Sequence, residues 1–271
     1  MARAGLRVDY HVHTCFSYDS EAALADVLAR ASAARIDQLC ITDHGTIDGA
    51  LELREMAPAG IEIVVGCEFG TDDGSQVIGL WLQEPIAETR LEPLLRAIRE
   101  QGGLTLLPHP FRRASGVFRA EMRRSEAFVR DVLALTDLVE CFNAADNYEK
   151  NLASRRLVIE RHLPAVAGSD AHRPSDIGSV WVEYDTAAPV HGVSPREIYF
   201  PDQQPSAENV AKRRLMETYH RYERRLPAIV GAGYRKMRRR VRRDHPARPA
   251  LTPRLQYDLP ATTPPRGSLP R

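Results

Sequence analysis

Residues 6–13 read LRVDYHVH, an apolar run that ends in two histidines one residue apart. The run predicts a strand, and alternate residues of a strand share a face, so we expect Asp9, His11 and His13 to point to one side. Two imidazoles on a rigid strand fill a core poorly, whereas neutral imidazole is the commonest metal ligand in proteins. Such a pair also occurs on solvated strands, so a metal site requires further ligands from elsewhere in the chain.

Short apolar runs alternate with helical patterns as far as about residue 185. We predict strands near 6–13, 38–42, 61–68, 76–82, 104–107, 138–142, 164–168 and 179–184, with helices near 21–34, 46–56, 88–101, 125–135 and 147–162. Strands that alternate with helices favour an α/β fold with a mostly parallel sheet. Active sites in such sheets and barrels gather where strands end and loops begin.

Histidines and acidic residues recur at the ends of the predicted strands, where five of the nine histidines lie. Imidazole and carboxylate together suit Zn, Mn or Fe, and a carboxylate can bridge two ions. Several divalent ions held close together clamp a phosphoryl group and activate water. Phosphate-binding glycine motifs and a G-x-S-x-G elbow are absent, which argues against nucleotide transfer and serine hydrolase chemistry. The strand-end residues are His11, His13, Asp19, His44, Glu68, His109, Glu140, Asn143, Asp170 and His172.

These motifs, in this order, resemble the PHP (polymerase and histidinol phosphatase) family over roughly residues 6–185. The resemblance rests on D-x-H-x-H-T followed by S-Y-D, then I-T-D-H, G-x-E, H-P and G-S-D-A-H. It implies a distorted seven-stranded β/α barrel whose trinuclear metal centre hydrolyses phosphoesters. It also implies the ligands of each ion, which are His11, His13, Glu68 and Asp170 for the first, Glu68 and His109 for the second, and Asp19, His44 and His172 for the third.

The chain departs from the family pattern at the second ion. Many relatives place a histidine shortly after the bridging glutamate, where this chain has Gln76. Some relatives draw another histidine or cysteine from the sixth strand, where this chain offers only Glu140, Cys141 and Asn143. The resemblance therefore implies two or three divalent ions (Zn, Mn or Fe), with the fewest ligands at the second.

Other residues near these motifs are candidates for supporting roles. Asp9 and Asp43 are expected to orient imidazoles, and Glu140 and Asn143 either support the site in the same way or are structural. His109 or His172 could protonate a leaving group. Guanidinium groups suit phosphate, although exposed arginines are common without a ligand. The candidates for substrate binding are Arg112, Arg113 and Arg173.

The net charge of +1 conceals two segments of opposite charge. Residues 205–271 hold 17 Lys and Arg against 5 Asp and Glu, a net +12, which leaves −11 for residues 1–204. The basic segment could be a solvated helix on the acidic domain, a contact for nucleic acid or an anionic surface, or a site for a partner protein. We divide the chain into a PHP-type domain (1–188), a linker (189–205), a basic helical extension (206–243) and a proline-rich tail expected to be disordered (244–271).

We expect a metal-dependent phosphoesterase that acts on a small phosphomonoester. The alternatives are a nuclease guided by the basic segment and a non-catalytic metal-binding module. The four cysteines, which lack a C-x-x-C motif, are expected to be small core residues. No apolar stretch reaches the length of a membrane span, and the first residues lack the apolar region of a secretory signal, so we expect a reduced, cytoplasmic protein.

Overall fold

The computed structural model describes residues 5–184, 197–201 and 251–255. The strands are Leu6–Val12 (β1), Gln38–Ile41 (β2), Glu62–Gly70 (β3), Gln76–Leu80 (β4), Leu104–Leu107 (β5), Leu138–Asn143 (β6), Ala165–Gly168 (β7), Trp181–Tyr184 (β8), Glu197–Pro201 (β9) and Leu251–Leu255 (β10). The α-helices are Leu24–Ala34 (α1), Asp48–Met56 (α2), Leu91–Glu100 (α3), Glu126–Ala134 (α4) and Tyr148–Arg161 (α5). No helix of this described part is long and apolar enough to cross a membrane.

The strands form one sheet in the order β10-β9-β8-β1-β2-β3-β4-β5-β6-β7, which curves into a nearly closed barrel. The segment after β7 returns to β1, where the backbone N–H of His13 donates to the carbonyl of Ala171 at 2.9 Å and Val12 bridges Ala171. The predicted α/β barrel is confirmed, with eight strands, β1–β8, in place of the seven that the resemblance implied. Among the eight predicted strands, four pairs are parallel and three are antiparallel, because β4 is antiparallel to both β3 and β5, and β8 is antiparallel to β1. The two further strands, β9 and β10, pair antiparallel.

The reversed direction of β4 has a consequence for the site. Strands β1, β2 and β3 are parallel, and so are β5, β6 and β7. Since β4 alone reverses between β3 and β5, the carboxyl ends of these six strands meet at one end of the barrel.

The predicted domain boundaries fall largely outside the described residues. The proposed basic helical extension, 206–243, lies there entirely. Strand β9 lies within the stretch predicted as a linker, and β10 lies within the stretch predicted as a disordered tail. The two pair with each other, and β9 also pairs with β8.

Two apolar clusters hold the barrel together. One lies between the sheet and the helices, where α1 buries a face at helical spacing, formed by Leu24, Val27, Leu28 and Ala31. The other cluster includes Val8, Tyr10 and Cys40 and fills the barrel. Cys67 and Cys141 are also buried as expected, whereas Cys15 is exposed in the loop after β1.

An inserted residue in β1 overturns the prediction that Asp9 shares a face with His11 and His13. Asp9 pairs with Leu39 and Val12 pairs with Ile41, so three steps along β1 match two steps along β2. Such a bulge breaks strict alternation and redirects side chains. Asp9 consequently accepts hydrogen bonds from backbone N–H groups, at 2.9 Å from Ser169 and 3.3 Å from Gly178.

Strand β6 carries a second bulge, between Glu140 and Phe142. Residues three apart on a regular strand point to opposite faces. With the extra residue, the Asn143 side-chain N–H donates to the Glu140 carboxylate at 2.9 Å. Both side chains therefore reach the same end of the barrel.

Gly168, the last residue of β7, allows the sheet to close tightly against β1. A Cβ added there would lie 2.5 Å from Oε1 of Glu140 and even closer to the Cβ of His11. Real Cβ atoms do not approach other atoms so closely, and both neighbours are buried.

We predict that Gly168→Ala lowers the free energy of unfolding by about 1–3 kcal/mol, because His11 and Glu140 must shift. Urea unfolding in the presence of a chelator measures this change without a contribution from bound metal. Gly70→Ala is the matched control, since a Cβ at Gly70 meets no atom within 4 Å. Equal effects of the two substitutions would contradict the assignment of Gly168 to close packing.

Candidate metal centre

The eight predicted metal ligands meet at the carboxyl ends of the strands. Seven are buried, and His44 is about one-tenth exposed. Their possible ligand atoms form three groups, within each of which all atoms lie within 4.8 Å of one another. The groups are His11, His13 and Asp170; His11, Glu68 and His109; and His13, Asp19, His44 and His172.

The four side chains predicted to hold the first ion converge closely. Nε2 of His11 lies 3.1 Å from Nε2 of His13, 3.4 Å from Oε2 of Glu68 and 3.5 Å from Oδ1 of Asp170. Nε2 of His13 lies 3.4 Å from each of the same two oxygens. Zinc bonds of about 2.0–2.1 Å in a tetrahedral site place ligand atoms about 3.3 Å apart. The donor set and its spacing therefore fit one divalent ion.

The second group shares His11 with the first and adds Glu68 and His109. Nε2 of His109 lies 3.0 Å from Oε1 of Glu68, whereas the other oxygen of Glu68, Oε2, faces His11 and His13. Glu68 pairs with Ile78 across β3 and β4, and Gly70 pairs with Gln76, so Gln76 lies two residues farther along on the same face. Gln76 stands where many relatives have a histidine. Its amide side chain thus lies on the same face of the sheet as Glu68.

The third group surrounds Asp19. Its Oδ2 lies 3.2 Å from Nε2 of His44 and 3.3 Å from Nε2 of His172. Oδ1 of Asp19 and Nδ1 of His109 are buried, and neither has a hydrogen-bond partner among the residues that the structure describes. Buried polar atoms normally have a partner, so these two also fit a site for ions.

Burial and the neighbouring charges set opposite protonation states for the first two histidines. Burial alone would lower the pKa of His11, but Asp170, Glu140 and Glu68 outweigh it and raise that pKa well above its usual value. Burial and the adjacent His172 lower the pKa of His13 to about 3. His13 is therefore neutral at pH 7, which is the form that binds metal.

The carboxylates of the cluster are held in their ionised form. Burial would raise the pKa of Glu68, but positive charge on His11 and His44 outweighs it, so the pKa lies well below its usual value. For Asp170, His11 and Arg112 likewise outweigh burial and lower the pKa. Ionised carboxylates and neutral imidazoles are the metal-binding forms of these side chains.

Glu140 connects two of the groups through hydrogen bonds. Its Oε1 lies 3.1 Å from Nδ1 of His11, and its Oε2 accepts the backbone N–H of His109 at 2.6 Å. A carboxylate on Nδ1 fixes the proton there and leaves Nε2 to face the ion. The structure thus favours a supporting role in the site for Glu140, and for Asn143, which donates to it.

Asp9 and Asp43 make no described hydrogen bond to an imidazole ring, but Asp43 bonds to the side chain of Ser17, which contacts His13. Asp43 accepts the backbone N–H of Thr14 at 2.6 Å and its hydroxyl at 2.7 Å. Sequence reasoning missed Ser17, whose hydroxyl lies 3.0 Å from Nδ1 of His13 and accepts the backbone N–H of His44 at 2.9 Å. Its position before Tyr-Asp in the first loop was the available signal.

The three arginines predicted to bind substrate occupy different environments. Arg112 donates to Oδ2 of Asp170 at 2.8 Å, to Asn143 and to Asp146. Arg113 instead forms an exposed pair with Glu121, so the structure does not bring it to the cluster. Arg173 is half-buried beside His172, and no described hydrogen bond or ion pair joins its side chain to the cluster.

Two of the candidate ligands adopt a backbone conformation that is uncommon for residues other than glycine. The φ angle is +49° at Asp170 and +28° at His109. Such conformations cost about 1–3 kcal/mol and cluster at functional sites. Each lies two residues after the end of a short strand, β5 for His109 and β7 for Asp170, and the side chain of His109 faces Glu68 while that of Asp170 faces His11.

Comparison with known proteins identifies two families in the sequence. A model described as PHP domain matches residues 9–110, and one described as PHP-associated matches residues 149–192. An uncharacterized protein of Methanocaldococcus jannaschii is 33% identical over 169 residues, which cover 57% of this chain and 93% of the relative.

Solved structures with a similar fold include a two-domain protein from Bacteroides vulgatus that contains a predicted PHP-like metal-dependent phosphoesterase. Its TM-score is 0.58 at 15% identity, covering 79% of this chain and 70% of that one. Endonuclease Q, in complex with a duplex substrate that carries an abasic lesion, has a TM-score of 0.52 at 13% identity, covering 79% of this chain and 57% of that one. At these identities the likeness shows the fold alone.

We predict that Glu140→Gln lowers the affinity for Mn²⁺ or Zn²⁺ by about 10- to 100-fold, because the proton on Nδ1 of His11 loses its carboxylate. Competition with a chromophoric chelator measures the affinity. Glu121→Gln, at the exposed pair with Arg113, is the control and should leave affinity unchanged. An unchanged affinity in Glu140→Gln, with an unchanged unfolding midpoint, would refute the role assigned to Glu140.

Proposed function

Because the chain belongs to the PHP family, we propose that it is a metal-dependent hydrolase of phosphoesters and that its substrate is a small phosphomonoester. Histidinol-phosphate-like compounds and nucleotides are the substrate types we consider first. The observation that carries the proposal is the convergence of His11, His13, Glu68 and Asp170, with spacings of 3.1–3.5 Å that suit a divalent ion.

The proposed metal ligands are the three groups of side chains described above, and we propose that Glu68 serves both the first and the second ion, because Oε2 faces His11 and His13 while Oε1 faces His109. We propose two or three ions of Zn, Mn or Fe, because imidazole and carboxylate donors suit all three metals. When bound, such ions lower the pKa of water and neutralise the charge of a phosphoryl group. The second group, with Glu68 and His109 as its main donors, is the weakest of the three.

The chain's own residues must also manage the proton of the leaving group. His172 has both nitrogens engaged, Nδ1 with the backbone carbonyl of Asp170 at 3.0 Å and Nε2 with Asp19 at 3.3 Å. Nδ1 of His109 is buried and has no hydrogen-bond partner among the described residues. A histidine engaged by a metal is poorly suited to protonate a leaving group, so we propose His109 for that role only when the second ion is not bound through it.

Arg112 is proposed to act mainly on the site rather than on the substrate. Its guanidinium holds Oδ2 of Asp170, which leaves Oδ1 of Asp170 directed at His11 and His13. A charge-assisted bond of this kind fixes a carboxylate more firmly than a neutral donor does. Arg173, beside His172, remains the candidate for contact with the phosphate.

We predict that the purified protein, loaded in turn with Mn, Zn and Fe, hydrolyses at least one member of a panel of phosphomonoesters. Asp170→Asn should lower kcat/KM by about 10²- to 10³-fold, because a neutral amide binds the proposed first ion less tightly than a carboxylate does. Release of inorganic phosphate and metal counting on the same samples provide the measurement. Asp131→Asn, at an exposed pair with Arg130, is the control.

The same panel of phosphoesters also distinguishes a hydrolase from a non-catalytic metal-binding module. A protein that holds its metal through His11 and Asp170 yet hydrolyses no phosphomonoester, nucleotide or oligonucleotide would favour the module. His11→Ala should lose metal in either case, so it reports on binding and not on catalysis.

A nuclease is the second candidate, and the net charge of +12 in residues 205–271 favours it. If the segment binds phosphates, replacing Arg238, Arg239 and Arg240 with Gln should weaken DNA binding. It should also reduce the slope of log K against log salt by about 0.9 for each lost duplex contact.

Binding of a short duplex at several salt concentrations gives both quantities. The control replaces three exposed arginines of the barrel domain, Arg90, Arg96 and Arg130, with Gln. Equal salt slopes in the two triple variants would refute a guiding role for the basic segment.

A further inference from the structure

The loop between β1 and α1 places a buried hydroxyl between two candidate metal ligands. Ser17 is 2% exposed, and its Oγ lies 3.0 Å from Nδ1 of His13 and accepts the backbone N–H of His44 at 2.9 Å. The same hydroxyl bonds to the carboxylate of Asp43. The backbone N–H of Ser17 donates to the carbonyl of Thr14 at 3.0 Å, which fixes the position of the side chain. One hydroxyl group therefore joins an imidazole ring, a backbone amide and a carboxylate.

The carboxylate of Asp43 is itself held in place. It accepts the backbone N–H of Thr14 at 2.6 Å and the hydroxyl of Thr14 at 2.7 Å, while the same hydroxyl oxygen accepts the backbone N–H of Phe16 at 3.2 Å. Gly49 of α2 packs against this pair, because a Cβ added there would lie 2.6 Å from Oγ1 of Thr14 and even closer to Asp43. With a backbone N–H and a hydroxyl already donating to it, the carboxylate acts as an acceptor towards Ser17 as well.

The hydrogen bonds of the Ser17 hydroxyl determine where the ring proton of His13 lies. A hydroxyl has one proton and two lone pairs. The backbone N–H of His44 can only donate, so it uses one lone pair, and the carboxylate of Asp43 receives the proton. The remaining lone pair faces Nδ1 of His13, which must then carry the ring proton. With the proton on Nε2 instead, a lone pair of the serine oxygen would face either His13 or Asp43 with no proton between them, which is costly at a buried site.

We propose that Ser17 is a positioning residue that, together with Asp43, fixes the ring proton of His13 on Nδ1 and leaves the lone pair of Nε2 for a divalent ion. Nε2 lies 3.4 Å from Oε2 of Glu68 and from Oδ1 of Asp170, the oxygens proposed for the first ion. A histidine that binds metal through one nitrogen normally donates the other N–H to a partner that fixes its tautomer. The effect on metal binding rests on the proposed function, whereas the position of the proton is also a property of the metal-free protein.

The first measurement locates this proton in the full chain without metal at pH 7. The nitrogen chemical shifts of an imidazole ring distinguish a protonated nitrogen from one with a free lone pair, and the signals of His13 are assigned by their absence in His13→Gln. We expect the unmodified protein to carry the proton on Nδ1. Ser17→Thr keeps the hydroxyl and should preserve this tautomer. Ser17→Ala should shift the proton at least partly to Nε2, where Glu68 and Asp170 can accept it.

The second measurement is the affinity for Zn²⁺, obtained by competition with a chromophoric chelator. Ser17→Ala should lower it by about 10- to 100-fold, and Ser17→Thr should largely restore it. Asp43→Asn should lower it too, but should have little further effect when Ser17 is already Ala, because both residues act on the same proton. Ser20→Ala is the matched control on the same loop. Its hydroxyl donates to the backbone carbonyls of His13 and His172 and not to their rings, so the tautomer and the affinity should both stay unchanged.

The outcomes separate this inference from the proposed function. A proton on Nε2 of His13 in the unmodified protein would overturn the inference, and so would a Ser17→Ala protein that binds Zn²⁺ as tightly as the unmodified one. Equal losses of affinity in Ser17→Ala and Ser20→Ala would assign the effect to the loop as a whole, which also overturns it. An unmodified protein that binds neither Zn²⁺ nor Mn²⁺ would instead refute the proposed metal centre, and the first measurement would still decide the position of the proton.

Discussion

The buried carboxylate of Glu68 is the constraint around which the end of the barrel is organised. Only 2% of the residue is exposed, and its two oxygens lie 3.0–3.4 Å from His11, His13, His44 and His109. An ionised carboxylate without partners would be costly in such a place. Four imidazoles from three other strand ends provide the compensation. The strands must therefore bring these histidines together, and the same arrangement forms groups of side chains that could hold divalent ions.

The barrel achieves this convergence through departures from regular strand geometry. The bulge in β1 turns Asp9 away from the histidines, and its carboxylate accepts hydrogen bonds from backbone N–H groups instead. The bulge in β6 brings the side chains of Glu140 and Asn143 to the same end of the barrel. Asp170 and His109 need a left-handed backbone to reach the same space. Each irregularity weakens local pairing or adds strain, so the packing of both apolar clusters must offset it. The irregular positions coincide with the residues that serve the site, as expected where function competes with regularity.

Much of the fold could be predicted from the sequence because the hydrophobic periodicity is clear. The five helices and the first eight strands appear where the apolar spacing places them, within a few residues. The position of the site followed from histidines and acids at successive strand ends. Bulges could not be predicted, because a single inserted residue leaves no signal in a run such as LRVDYHVH. The pairing of Arg113 with Glu121, and of Arg112 with Asp170, depends on the path of the loop after β5, which periodicity does not describe.

Without bound ions, the negative charges of the cluster are balanced by protons. The imidazole of His11 and the carboxylates of Glu68 and Asp170 lose their contributions to stability at opposite ends of the pH scale. His11, with a raised pKa, stabilises the fold fully below its unfolded value of about 6.5 and loses that contribution as pH rises through its folded pKa. Glu68 and Asp170, with lowered pKa values, contribute above about pH 4 and lose their contribution as pH falls through their folded values. A divalent ion held by His11 would replace a proton that the ring otherwise carries. Two of the carboxylates that raise the pKa of His11, Asp170 and Glu68, are also proposed ligands of the ion, so a proton and a metal would compete for the same negative charges.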